Sequence, residues 1–258
     1  MTLKLWMEEW YLLVGIFKRF TAEFKRYYLN TISFFVTITI IFYLIVLGFR
    51  SFGGGTPNMS GSLQSTAIGY FTWIMVISVL TELSWNLMNE MNRGIIEQIF
   101  LSPHGPIKIY SYGQIVSLVI NIPFLYLVML IIFKMANLKL VVPPAFFLNM
   151  IFLLIQTYGF GMILGGITLK FKRTQALLQI SQFAIIGLLV LDPGGKLGFM
   201  IPISPHFKVF RMIMEGEHVD PMMWIKIFTA SLIYYYIGMR IFAYFVRLVK
   251  KNGELSIY

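Results

Sequence analysis

Reactive side chains are few and far apart in this chain of 258 residues. The three histidines, His104, His206 and His218, form no His-Glu-x-x-His pair for a zinc ion and read as surface histidines in semi-polar segments. No Gly-x-Ser-x-Gly elbow presents a nucleophilic serine, and with no cysteine there is no thiol nucleophile, thiolate metal site or disulfide. Gly194, Gly195 and Gly198 flank Lys196, yet no Gly-x-x-x-x-Gly-Lys-Ser/Thr occurs, so no nucleotide binds through a P-loop. The 11 acidic residues are too dispersed for the carboxylate cluster that a membrane enzyme acting on lipid headgroups needs. What remains is the chemistry of contact. From Met88 to Gln114, MNEMNRGIIEQIFLSPHGPIKIYSYGQ sets Glu90, Arg93, Glu97 and Lys108 among Ile95, Ile96, Ile99, Phe100 and Leu101.

Ile95, Ile96, Ile99 and Phe100 fall at helical spacing, and Glu90, Arg93 and Glu97 stand three or four residues apart, where they can pair along a helix face. Ser102-Pro103 and Gly105-Pro106 then stop the helix, because proline lacks a backbone donor and disfavours helix in the residue before it. The spacing predicts a short amphipathic helix over 89–100, held on a tight turn at a membrane surface. An ordinary solvated loop is the plainer alternative.

The elements that hold this stretch are apolar. With 58% hydrophobic and only 12% charged residues, the composition is that of an integral membrane protein, all-α, in a single transmembrane domain. The net charge of +10 comes from small basic groups flanking apolar runs, with no stripe of stacking aromatics, so the expected partner is the lipid headgroup layer and not nucleic acid. The first apolar run begins about thirty residues in and lacks a small-residue cleavage pattern, so no removable signal peptide is expected.

Residues 4–26 place Trp6, Trp10, Leu13, Phe17, Phe20 and Phe24 on one helical stripe, with Lys4, Glu8, Lys18, Arg19 and Arg26 behind it. Such a helix lies in the headgroup plane or packs on a partner protein; the membrane span that follows directly favours the plane. Six spans are expected, at 31–49, 66–87, 109–133, 145–169, 174–191 and 222–248. A Gly/Ser/Pro-rich loop through Ser65 follows the first, and Pro123 is an expected kink in the third. Gly159, Gly161, Gly165 and Gly166 suit close helix contact in the fourth. Residues 192–221 are too apolar for a free loop and too interrupted to span, and read as a re-entrant region.

Polar stripes cross several spans: Ser78, Thr81 and Glu82; Gln114, Ser117 and Asn121; Gln175, Gln179 and Gln182. They line a substrate path or supply hydrogen bonds between helices, and Glu82 is a structural partner or a proton or substrate contact. Placing both termini and the 89–100 stretch in the cytoplasm puts every lysine and arginine there except Arg50, Lys134, Lys139, Lys196, Lys208, Arg211 and Lys226, as the positive-inside rule requires. The 192–221 region is then extracellular. No sustained internal repeat supports an inverted-repeat transporter.

An amphipathic N-terminal helix, six spans, Gly94-Ile95-Ile96-Glu97 with Ser102-Pro103 after the second span, and Pro202, Ser204-Pro205 and Gly216 before the last resemble the type-2 family of ABC-transporter permeases over essentially the whole chain. Ile95 stands where that family often has threonine. The resemblance implies a cell-membrane exporter subunit that is no enzyme itself and binds no cofactor directly. It implies a homodimer served by two cytoplasmic ATPase subunits that carry ATP and Mg. Glu90, Arg93, Gly94, Ile95, Ile96, Glu97, Ile99, Phe100 and Pro103 would then form the coupling helix, and Ser78, Glu82, Gln114, Asn121, Gln175, Gln179 and Gln182 the candidate path. The expected cargo is an amphiphile such as a drug, peptide antibiotic or lipid, with a polysaccharide or teichoic-acid-type glycolipid as the runner-up. A non-conducting membrane scaffold or regulatory subunit is the alternative of another class.

Overall fold

Long apolar runs with few internal breakers produce helices throughout. A computed structural model describes residues 2–52, 59–137, 143–190 and 202–253, and among these there is no strand. The helices are α1 (Thr2–Arg26), α2 (Tyr28–Phe52), α3 (Met59–Leu80), α4 (Glu82–Asn92), α5 (Ile96–Leu101), α6 (Gly105–Met135), α7 (Pro144–Phe171), α8 (Gln175–Val190), α9 (Ser204–Met214) and α10 (Pro221–Asn252). Among the described residues five stretches are long and apolar enough to cross a membrane: Tyr28–Gly48, Leu63–Asn92, Gly105–Met135, Pro144–Phe171 and Pro221–Asn252. The chain is membrane-embedded by that measure. The second stretch joins α3 to α4 across Thr81, whose hydroxyl donates to the Ile77 carbonyl at 3.1 Å. At 16 residues, α8 reaches only about 24 Å.

Two differences from the sequence reading are local. The polar loop expected through Ser65 is already helical from Met59, and Pro123 sits inside α6 without ending it. Residues 192–201 of the expected re-entrant region lie outside the described residues; its remainder is α9 and the turn leading to α10.

The chain divides into two compact units. One comprises Met1–Ala67 and His104–Leu140, so it holds α1, α2 and α6. Phe24 and Phe35 both meet the ring of Phe124, at 4.9 and 5.7 Å between centroids. Contacts of α1 with α6 run from Lys108 to Phe124, more of α6 than a helix confined to one end of it would touch.

The other unit, Ile68–Pro103 with Val141–Tyr258, is built around α7. Glycines let its neighbours approach to backbone distance. A Cβ on Gly238 of α10 would overlap the Gly159 carbonyl, and one on Gly159 would overlap the Tyr234 carbonyl. On the opposite side, a Cβ on Gly161 would stand 3.0 Å from the Leu80 carbonyl oxygen, and one on Gly165 only 2.7 Å from Leu83. Gly166 is packed by Phe245, 2.6 Å from where its Cβ would be. Residue numbers rise together across both seams: Phe152 meets Trp224 and Phe228, Gly159 meets Tyr234, and Gly166 meets Phe245. Helices α7 and α10 therefore run parallel, and the end of α3 continuing into α4 runs parallel to both. Helix α8 runs the other way, since Thr174 at its start contacts Met88 while Gln182 further along accepts from Trp73 Nε1 at 3.5 Å.

Gly238→Val is expected to destabilise the folded protein by about 1–3 kcal/mol, as overpacking of a filled core does. Gly187 of α8 has nothing within 4 Å of a built Cβ, and Gly187→Ala is expected to leave stability unchanged or raise it by up to about 1 kcal/mol, since alanine favours the helix. Thermal unfolding of the two variants in one detergent checks the contrast.

Candidate functional site

The expected helix over 89–100 is two helices with an elbow between them. Helix α4 ends at Asn92, Gly94 takes the left-handed conformation at φ +68°, and α5 starts at Ile96. Glycine adopts that backbone without the penalty other residues incur. Glu90 and Arg93 thus belong to the end of α4 and Glu97 to α5, so they do not share the one helix face that their spacing predicts.

The elbow divides the expected contact set. Ile96, Ile99 and Phe100 are buried in the chain itself, with Lys250 Nζ 5.6 Å from the Phe100 ring centroid. Glu90 is also turned inward, at 3% exposure. Ile95 is half-buried, while Arg93, Gly94, Glu97, Gln98 and Pro103 are exposed. Leu101 is 84% exposed, the most exposed of the large apolar side chains described. Sequence reasoning noted Leu101 as part of the apolar run and did not single it out, although its place just before Ser102-Pro103 sets it at the tip. The burial of Ile96, Ile99 and Phe100 fixes α5 to its own unit and leaves Leu101 as the large apolar side chain that α5 exposes.

The end of this unit that carries the elbow is also its basic end. Because α4, α7 and α10 are parallel, Arg93, Lys170, Lys172, Arg173, Arg247, Lys250 and Lys251 lie at the same end of the bundle. Thr174, leading into α8, is bound there through Thr168 Oγ1 at 2.8 Å.

Two further polar clusters went unrecognised in the sequence. In the first unit, Glu9 of α1 accepts from both Lys108 Nζ and the Tyr112 hydroxyl of α6. These bonds, that from Lys108 foremost, hold its carboxyl below the ordinary carboxylate range. A charged residue inside an aromatic stripe was the available signal. The stripe itself is split: Trp10, Phe17 and Phe24 are exposed, while Leu13 and Phe20 are half-buried and Phe20 lies against Gly113.

In the second unit, the reading of His206 as a surface histidine is corrected by its 1% exposure. Asn149 of α7 donates from Nδ2 to the His206 carbonyl at 2.9 Å and turns Oδ1 to His206 Nδ1, also at 2.9 Å. Ser231 Oγ of α10 lies 3.5 Å from His206 Nε2 and donates to the Ile227 carbonyl at 2.8 Å. The connectivity is that of a serine–histidine–asparagine triad, but all three side chains are buried and the serine hydroxyl is spent on its own helix, so no substrate reaches it. Burial pushes His206 down to about 3 and keeps it neutral. His104 is half-buried and His218 exposed.

The polar stripes do not converge. Ser78 bonds back to the Met75 carbonyl at 2.9 Å, Glu82 is half-buried, Gln175 and Gln179 are exposed, and Gln182 is half-buried. In the other unit Asn121 donates to Ser117 Oγ at 2.8 Å, while the amide of Gln114, 7% exposed, has no hydrogen-bond partner. Among the described residues no three histidines or carboxylates gather as a metal site. Set beside protein-family models, curated proteins and solved structures, the chain matches none of them.

Because Glu9 titrates below its free value, its contact stabilises the α1–α6 seam above the free-carboxylate range and is lost as pH falls through the lowered value. Acid is therefore expected to speed hydrogen exchange in α1, beyond the intrinsic pH dependence, and Glu9→Gln to remove that excess. Glu9→Lys or Lys108→Glu alone should loosen α1 at neutral pH, and the double reversal should restore its protection.

Proposed function

We infer that the chain is the transmembrane subunit of an ATP-driven ABC exporter in the cell membrane, paired with a second copy of itself. Two cytoplasmic ATPase subunits carry ATP and Mg. The observation that carries this reading is the α4–α5 elbow, buried on one side in the helical unit and presenting Arg93, Glu97, Gln98, Leu101 and Pro103 on the other. A lever needs those two faces. ATP closes the ATPase pair, the two states of that pair contact the elbow differently, and the difference in contact energy shifts the helices to which Ile96, Ile99 and Phe100 are fixed.

Topology is consistent with this. Two parallel helices require an odd number of crossings between them, and α8, antiparallel to its neighbours, is the described helix that returns the chain from α7 to α10. That supports six spans, with the basic end and both termini cytoplasmic. Helix α9 then stands at the outer end as the close of the re-entrant region. The exposed Trp10, Tyr11 and Phe17 with Lys18 and Lys25 support contact of α1 with lipid on the side that does not face α6.

An amphiphile (drug, peptide antibiotic or lipid) is the cargo class that suits spans with apolar, aromatic outer faces. The exposure of Tyr236 and Tyr244 on α10 favours a glycolipid as the second reading, since exposed rings offer stacking surfaces to sugars.

The test is to co-purify the chain with an ABC ATPase and follow ATP-driven transport in vesicles. Glu97→Lys and Leu101→Asp are expected to lower coupled transport about tenfold, within the usual range of coupling energies, while the permease stays folded. Full transport by both variants, or failure of any ATPase to bind, overturns the reading.

A further inference from the structure

Helix α9 is held at one end of the second unit by contacts that converge on a single side chain. Phe207 lies 3.4 Å from where a Cβ on Gly69 of α3 would stand, and the ring of Phe210 meets that of Phe146 of α7 at a tilt, 4.7 Å between centroids. Between these apolar contacts sits His206, bonded to Asn149 of α7 and facing Ser231 of α10. The asparagine settles the tautomer. Its Nδ2 donates to the His206 carbonyl, so Oδ1 faces the ring and Nδ1 must carry the hydrogen, which leaves Nε2 with its lone pair towards Ser231.

Among the described residues no carboxylate offsets a charge on this ring. Helix α7 contributes Asn149 and α8 has no ionisable side chain at all. Helix α3 contributes the phenol of Tyr70 near this end. The charged groups near this end on α10 and its cap, Asp220 and Lys226, are exposed, as are Lys208, Arg211 and Glu215 on α9 and just beyond it, where Arg211 pairs with Glu215 at 3.0 Å. A proton added to Nε2 therefore creates an imidazolium sealed from water with only a hydroxyl and an amide to solvate it. Release of α9 into water removes that cost.

We propose that Asn149, His206 and Ser231 form a proton-operated latch: α9 stays seated against α7 and α10 while His206 is neutral, and is unseated when His206 takes up a proton. The latch belongs to the unit's own packing and does not depend on what the protein transports.

The expected size follows from linkage. A histidine that titrates normally once α9 is open and stays neutral while it is seated raises the open fraction about thirty-fold between about pH 7.5 and about pH 5. The chain has no cysteine, so one introduced thiol reports alone. Val209 of α9 is fully buried and Lys208 beside it exposed. In the full chain, the rate at which a pyridyl disulfide modifies Val209→Cys, divided by that for Lys208→Cys, is expected to rise about thirty-fold over that pH change. In a His206→Gln background the ratio should stay flat. Hydrogen exchange of residues 204–214 in the unsubstituted chain, corrected for its intrinsic pH dependence, makes the same comparison without altering the core. A flat ratio and flat corrected exchange in the histidine-bearing chain overturn the latch, and so does an equal rise with His206→Gln.

Discussion

The packing of the second unit depends on one steric constraint: where α7 meets α10, only hydrogen atoms fit between the backbones. Gly159 occupies the space that a Cβ on Gly238 would need, and the Tyr234–Tyr235 backbone of α10 occupies the space that a Cβ on Gly159 would need. Lipid supplies no hydrophobic drive for two apolar helices to associate, so close approach and van der Waals contact must hold them. That seam sets α7 and α10 parallel, and the Gly161–Gly165 edge of α7 then sets the α3–α4 helix parallel to both. The placement of the elbow, the basic end and the buried histidine follows from it. Two helices that meet at backbone distance cannot slide by part of a turn without collision, so the unit responds to load as a body.

This stiffness gives the elbow its meaning. A six-residue helix such as α5 has little stability by itself. It is ordered because Ile96, Ile99 and Phe100 are sunk in the unit, and Gly94 supplies the turn that lets them reach inward while Glu97 and Leu101 point away. Force applied to the outer face thus enters through side chains packed at core density and not through a compliant loop.

Much of the architecture was legible in the sequence. The apolar runs placed the five long helices to within a few residues, and the glycines of α7 marked a close contact before any partner helix was known. Periodicity failed where a single residue broke it. Ile95, Ile96, Ile99 and Phe100 with Glu90, Arg93 and Glu97 describe one good helix, but Gly94 bends the chain in their midst, so the spacing across it says nothing about a shared face. Burial of polar groups was not legible either. His206 resembles any histidine in a semi-polar segment, and only the fold brings Asn149 and Ser231, distant in the chain, around it. The Glu9 contact was hidden likewise, since nothing near Glu9 in sequence points to Lys108 or Tyr112.

The common direction of α4, α7 and α10 has an electrostatic consequence. Each helix ends with carbonyls that no turn follows, equivalent to roughly half a negative elementary charge, and here three such ends lie together. Arg93, Lys170 and Lys250 with Lys251 stand in those final turns or just beyond them. These basic residues are thus the counterions of the chain's own backbone dipoles. Part of the basic excess is spent inside the fold, and the field at that end is weaker than the count of lysines and arginines implies.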